Sequence, residues 1–246
     1  LVMCNELGTA LMLAVVYVLM LYVATKKVVY LIISLIAFAA ASIVTYMMFA
    51  HARIRIDVWL DPWTDIDNKG YQITQSLFAI GTGGWLGSGL YNGSPESIPM
   101  VSNDFIFSAI SEELGAVFAI FLIILCLCFM LMIYRIAIRV SRPFYKLSAF
   151  GIGTVYGFQV FLTIAGAIKM IPSTGINLPF ISRGGSSILA CMIMVAIVQV
   201  IYIKSEMDAA RTKEIAALRQ DDEYTGPDSL KDEKITQVKS NEIDMY

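Results

Sequence analysis

The sequence predicts an all-α polytopic membrane protein: a bundle of about five full transmembrane helices, plus a large outer loop that carries short helices. Three observations lead there. Hydrophobic residues make up 57% of the 246, only 15% are charged, and the mean hydropathy is +0.69. A soluble domain of this length carries more charge. Five runs of about 18 residues or more are apolar enough to span a bilayer. Lys and Arg collect in alternate short loops.

The net charge of −2 offers no attraction to nucleic acid. Cys4, Cys126, Cys128 and Cys191 fit no zinc spacing and read as buried free thiols. His51 is the only histidine and makes no metal site by itself. The chain opens at Leu1 inside an apolar run, with no charged leader ahead of it. We therefore expect further membrane segments upstream.

The elements follow in order. Residues 7–24 form the first span, flanked by Glu6 and by Lys26 and Lys27. Residues 28–50 form the second. Residues 51–103 are too polar and broken to cross lipid whole. Within them 71–80 reads as a short helix, with Ile73, Leu77 and Ile80 as its apolar stripe. The run Gly81, Gly83, Gly84, Gly87 and Gly89 follows. It lacks the preceding strand and the closing Gly-Lys of a phosphate loop. We expect turns that bring backbone back into the protein at membrane depth.

Residues 105–134 form a long third span, 147–168 a fourth and 186–203 a fifth. Gly151, Gly153, Gly157 and Gly166 in the fourth point to close helix packing. The tail, 207–246, is charged and reads as solvated and largely disordered, with a short helix over 207–218. Lys26 and Lys27, the Arg135–Lys146 region and the Lys204–Arg211 region fall on one side of the membrane, taken as cytoplasmic. The 51–103 segment and the 169–185 loop then face outward.

The chemistry gathers at two outer stretches. Asp104, Glu112 and Glu113 stand at the mouth of an uncharged span, where ionisable groups are costly and mark sites. As a helix from Asp104, Ser108 and Ser111 fall near the Asp104 direction and Glu112 leans about 80° away. An N-cap role for Asn103 or Asp104 remains the simpler alternative. In the second stretch Pro172 and Pro179 forbid one continuous helix. Gly184 and Gly185 followed by Ser186 and Ser187 read as a turn into a helix start, where free N–H groups attract anions. Lys169 and Arg183 add positive charge there, unless they only anchor the interface and Ser186 only caps the span.

Several runs resemble the SEDS family (shape, elongation, division and sporulation), which includes FtsW, RodA and SpoVE. They are Asn5-Glu6-Leu7-Gly8-Thr9-Ala10, Trp59-Leu60-Asp61-Pro62-Trp63, Gly70-Tyr71-Gln72-Ile73-Thr74-Gln75-Ser76-Leu77, Asp104-Phe105-Ile106-Phe107, Glu112-Glu113-Leu114-Gly115, and Pro172 through Ser187. They keep the family's order over residues 5 to 204. The resemblance implies a ten-span fold of which roughly the last five spans are here, with 51–103 as the large extracellular loop. It implies inverting glycosyltransfer that joins lipid II into peptidoglycan strands, with a lipid pyrophosphate as leaving group. It also implies a class B penicillin-binding protein and other divisome or elongasome proteins as partners. Asp104 falls on the family's proposed catalytic aspartate. Two departures stand out. Ser102-Asn103 replace His-Thr before that aspartate, and Arg183 replaces a Tyr.

That implied activity suits the residues. An acceptor hydroxyl needs a base, which a carboxylate supplies, and a pyrophosphate needs positive charge. Arg53, Arg55, Lys69, Lys169 and Arg183 are the outward candidates. A divalent cation, Mg or Mn, with Asp104 as one ligand stays open. A lipid II flippase is the competing function; the near absence of mid-span charge speaks against it. A scaffold that only activates its partner is a third reading.

Overall fold

The computed structural model describes residues 7–225; Cys4, Asn5, Glu6 and the tail beyond 225 lie outside them. Seven helices are described: α1 (Leu7–Thr25), α2 (Val28–Met48), α3 (Ala50–Leu60), α4 (Tyr71–Gly83), α5 (Ile106–Arg139), α6 (Pro143–Ala167) and α7 (Gly185–Thr225). A short 3-10 turn sits at Pro95–Ser97. Among the described residues there is no strand. Five helices, α1, α2, α5, α6 and α7, are long and apolar enough to cross a membrane. This is the all-α, five-span architecture that the sequence predicts.

The bounds differ in informative places. The second span stops at Met48 because Phe49 leaves helical geometry, with φ −110° and ψ 115°. A separate helix, α3, then starts where the sequence reading places the outer loop. The fourth span starts earlier than expected, at Pro143, a residue suited to the first helical position. The short helix expected over 207–218 is continuous with the last span and runs on through Thr225, while the rest of the tail lies outside the described residues. Cys126 and Cys191 are buried as expected, but Cys128 is exposed on α5.

Helix α6 is the strut of the bundle. Its small residues let neighbours approach closely. Gly151 faces Met20 of α1, while Gly153 and Gly157 face Tyr134 and Met130 of α5. Gly8, at the start of α1, touches Thr174 and Ile176 of the loop that follows α6. Gly151 lies near the start of α6, so α1 and α6 run antiparallel. The main core joins α4, α5 and α6 through Ile73, Phe107 and Tyr156, with Ile98, Phe105 and Leu178 from the loops. Helix α2 has no buried residue.

The third span is not one helix. Gly115 interrupts α5 with φ 82° and ψ 174°, a conformation open essentially to glycine alone. The glycine-rich run after α4 mates with this break. Ser88 and Gly89 donate their N–H groups to the Glu112 and Glu113 carbonyls at 2.9 and 3.0 Å. Ala116 and Val117 donate theirs to the Gly84 and Trp85 carbonyls at 2.9 and 3.3 Å. Backbone groups freed by a break must find partners inside the protein when no water is at hand. The loop supplies them on both sides of the gap, which is how its backbone comes back to the helix bundle.

A side chain at Gly115 would be strained and would also meet the backbone of Trp85, Leu86 and Gly87. Gly115→Ala is expected to cost about 1–3 kcal/mol or more in unfolding stability. Gly81, in α4, has nothing near its missing Cβ, so Gly81→Ala should be neutral or stabilising by up to about 1 kcal/mol. Thermal unfolding of the two purified variants in detergent compares them; equal behaviour would contradict the mated break.

Candidate active site around Asp104

Asp104 lies in the turn before α5, which begins at Ile106 with Phe105 at its cap position. A helical projection from Asp104 therefore does not hold, and neither does an N-cap role for Asn103 or Asp104. Phe105 is 1% exposed, and this anchor fixes the neighbouring carboxylate. The loop after α6 fixes it from the other side. The Ser182 hydroxyl donates to the Asn103 carbonyl at 2.5 Å and accepts from the Leu178 N–H at 2.8 Å. The Arg183 N–H donates to the Ser102 carbonyl at 2.8 Å.

Asp104 opens into a cavity of about 240 Å³ between α3, the start of α4 and the 171–175 loop. Arg55 and Lys69 line it, as do His51, Gln72, Ser173 and Gly175. Arg55 is oriented by its Nη1 donating to the Ser173 carbonyl at 3.2 Å. A Cβ on Gly175 would stand 3.7 Å from Asp104 Oδ2 and 3.8 Å from Arg55 Nη2. Gly175, at φ 71°, thus leaves open the space that carboxylate and guanidinium both face. The Trp59 indole donates to the Lys169 carbonyl at 3.1 Å, and Gln72 Nε2 donates to the Pro99 carbonyl at 3.0 Å. These bonds tie α3 and α4 to the two loops that meet at the site.

Burial pushes the Asp104 carboxyl above its ordinary value, and the Arg55 charge pulls it partway back. Asp61 contrasts with it. Fully exposed, it is held below its ordinary value, first by the Thr64 hydroxyl and then by the Trp63 N–H.

Of the predicted site residues, the structure brings Arg55 and Lys69 to Asp104. Arg53 turns away, with Nε and Nη2 on the Tyr46 and Met47 carbonyls at 3.1 and 2.7 Å. Lys169 reaches the Leu60 carbonyl at 3.5 Å and does not line the cavity. Arg183 is exposed and lies outside the cavity lining. Ser186 and Ser187 sit in the first turn of α7, away from that lining.

Ser108, Ser111 and Glu112 face a different junction. Ser108 Oγ is 2.6 Å from Ser76 Oγ, which in turn donates to the Ala167 carbonyl at 2.9 Å. Ser111 bonds back to the Phe107 carbonyl. Glu112 Oε1 accepts from the Ser94 N–H at 3.0 Å. Ser108 and Glu112 dock α4 and the loop after it onto α5. The sequence reading passed over His51, Gln72, Ser173, Gly175 and Ser182. Gly175 lay in view, since a glycine after Pro-Ser-Thr signals a special turn.

A metal finds few protein ligands here. Among the described residues no three His, Cys, Asp or Glu side chains gather to hold one, and Asp104 is the only carboxylate lining the cavity. From the protein, the cavity lining thus offers a cation one carboxylate, that of Asp104.

A model described as a cell cycle protein family, FtsW/RodA/SpoVE, matches residues 1–207. The chain belongs to this family. It is 41% identical over 193 residues to the peptidoglycan glycosyltransferase RodA of Mycobacterium bovis, covering 78% of this chain and 41% of that protein. Against RodA of Mycobacterium leprae the identity is 42%, over 78% of this chain and 42% of the relative. A probable peptidoglycan glycosyltransferase FtsW of Geobacter metallireducens is 35% identical, over 78% of this chain and 52% of its own length. The chain thus spans about two fifths to one half of the length of these relatives. A solved chain from a peptidoglycan synthase complex that coordinates polymerization and crosslinking shares the fold, at TM-score 0.62 and 24% identity. The match covers 76% of this chain and 52% of that one. With its five apolar spans, this family member is a multi-pass membrane protein.

The Ser182 hydroxyl is the buried hinge pin between the two outer loops. Ser182→Ala leaves the Leu178 N–H without its acceptor, a loss of about 1–3 kcal/mol. Chemical unfolding of the purified variant measures it, and a change below about 0.5 kcal/mol would mean that the bridge does not hold the loops.

Proposed function

We propose that the protein containing this chain is a peptidoglycan glycosyltransferase that polymerises lipid II. Asp104 is its general base. The observation that carries the reading is a half-buried carboxylate facing Arg55 and Lys69 across one cavity at the end of the spans. The activity named for the RodA and FtsW relatives supports it.

In the proposed step the acceptor's 4-hydroxyl oxygen forms a bond to the donor's anomeric carbon. The bond from that carbon to the lipid pyrophosphate breaks, and the hydroxyl proton passes to Asp104. Attack opposite the leaving group inverts the anomeric centre. Burial serves the base, because a carboxylate with a raised pKa accepts a proton more readily. Arg55 and Lys69 meet the charge that develops on the pyrophosphate. A class B penicillin-binding protein is the proposed partner, supported by the crosslinking half of the solved synthase complex.

The proposed orientation puts the Asp104 end outside. Lys26 and Lys27 follow α1, and the Arg142–Asp208 pair, at 3.4 Å, marks the same end of the bundle, opposite Asp104. Excess Lys and Arg at that end supports a cytoplasmic assignment for it and for α7's extension. A cysteine placed at Ser94 should react with an impermeant maleimide in intact cells, and one at Ser141 only after permeabilisation; the reverse pattern overturns the orientation.

Asp104→Asn keeps the size and loses the base. In the full-length protein with its partner, lipid II polymerisation should fall by a factor of roughly 10² to 10⁴, with membrane expression and partner binding retained. Near-normal polymerisation would end the assignment. The base works only as carboxylate, so the rate falls as pH drops through its folded pKa. Burial raises that pKa, so the acid limb lies above the ordinary carboxylate value. Arg55 pulls the pKa down, so Arg55→Gln should move the acid limb to higher pH as well as lowering the rate. An unmoved limb would separate Asp104 from the rate-controlling proton.

A further inference from the structure

At the other end of the bundle lies a second cavity, of about 270 Å³, that glycosyltransfer does not use. Four cations from three parts of the chain line it: Arg139 from the last turn of α5, Arg142 before α6, and Lys204 and Arg211 from α7. One carboxylate, Asp208, lines it with them. Asp208 Oδ2 takes Arg142 Nε at 3.4 Å. Lys204 Nζ is held by the Tyr145 hydroxyl at 3.0 Å and lies 5.0 Å from the centre of that ring. The pairings fix the walls, and the formal balance of the lining residues stays at three positive charges. Charges of one sign converging on one cavity repel unless an anion joins them.

The cavity also has an apolar floor. Val140 and Ile201, 5% and 3% exposed, belong to a core cluster shared by α5, α6 and α7. Lys204 directly follows the last apolar stretch of α7. Positive charge above and apolar surface below, at the height where spans end, is the chemistry of a phospholipid's interfacial region. The start of α6 lends a further attraction, since Arg142 stands at its cap position and no side chain caps it.

We propose that this cavity binds the phosphate head group of an anionic phospholipid, phosphatidylglycerol or cardiolipin, in the leaflet opposite Asp104. Arg139 and Arg211 carry the charge contact, while Arg142 and Lys204 shape the site through their own partners. A ligand held here touches α5, α6 and α7 together, so it steadies the α5–α6 turn against the α7 extension.

Native mass spectrometry of the full chain released from neutral detergent tests this. Phosphatidylglycerol is compared with phosphatidylcholine of the same acyl chains, with inorganic phosphate as competitor. Phosphatidylglycerol should bind at least about tenfold tighter. Each cation removed should weaken binding about fivefold, so Arg139→Gln with Arg211→Gln should lose about 25-fold and fall to the phosphatidylcholine level. Arg139→Lys with Arg211→Lys keeps the charge and should stay within about threefold of the parent. The lipid comparison on the parent chain decides the point even if the Gln variant folds poorly. Equal binding of the two lipids, or undiminished phosphatidylglycerol binding by a folded Gln variant, overturns the proposal. Displacement of the lipid by inorganic phosphate at equal concentration overturns it in favour of a free-anion site.

Discussion

The fold rests on one constraint: a backbone interrupted within a long apolar helix must have its hydrogen bonds completed by other backbone. Gly115 breaks α5, and the 84–89 turn closes both sides of the gap with four N–H to carbonyl bonds. This explains why so polar a segment sits against the bundle. It also explains the glycines at the end of α4 and in the turn after it. Gly83 and Gly87 approach the Ser111–Leu114 backbone so closely that a Cβ on either has no room. The mated break fixes α4 to the first part of α5, and Ser76 with Ser108 extends the contact toward the Asp104 end, to the end of α6. The turn that bears Asp104 hangs from this assembly. The carboxylate's position therefore depends on glycines that do not line its cavity.

The spans were legible because long apolar runs leave few alternatives. Asp104 stood out as a carboxylate beside an uncharged run. What misled was the assumption that α5 begins at Asp104. That put Ser108, Ser111 and Glu112 on its face, whereas the helix starts two residues later, Ser108 meets Ser76 of α4, Ser111 bonds back within α5 and Glu112 takes the Ser94 N–H. Helix α3 was hidden because its charges, Arg53, Arg55 and Asp57, broke the apolar pattern on which helix detection relies. Cation assignment failed for a related reason: sequence places a charge near a loop but says nothing of its direction. Arg53 and Arg55 are two residues apart on α3, about 200° around the helix, so only one faces the cavity. Ser182 had no local signal to separate it from an ordinary loop serine, and Gly175 showed only as a turn glycine.

For the proposed reaction, the Asp104 cavity has two opposing requirements to balance. A base gains strength from burial, while a pyrophosphate site needs cations that weaken the base. The structure shows both influences, with burial the larger. Gly175 keeps Asp104 and Arg55 facing a shared space without filling it, which leaves room for a ligand between them. A side chain there would separate the charges and occupy that space. The same geometry explains why Arg183 contributes through its backbone: its N–H on Ser102 helps set the turn that carries Asp104, a role that Tyr fills equally well.

Helix α6 connects the two ends. Near its outer end Thr163 donates to the Ile176 carbonyl at 2.8 Å, which steadies the loop beside Gly175. Toward its inner half Thr154 lies 3.2 Å from the Tyr134 hydroxyl on α5, and Ala149 is fully buried in the inner core cluster. Close packing on α1 and α5 through Gly151, Gly153 and Gly157 makes relative sliding costly, since each contact leaves no slack. A ligand that draws α7 toward the start of α6 would thus act on a strut already locked to the walls of the Asp104 cavity. The geometry joins the basic cavity to the carboxylate at the opposite end of the bundle by packing alone, with α6 as the element common to both.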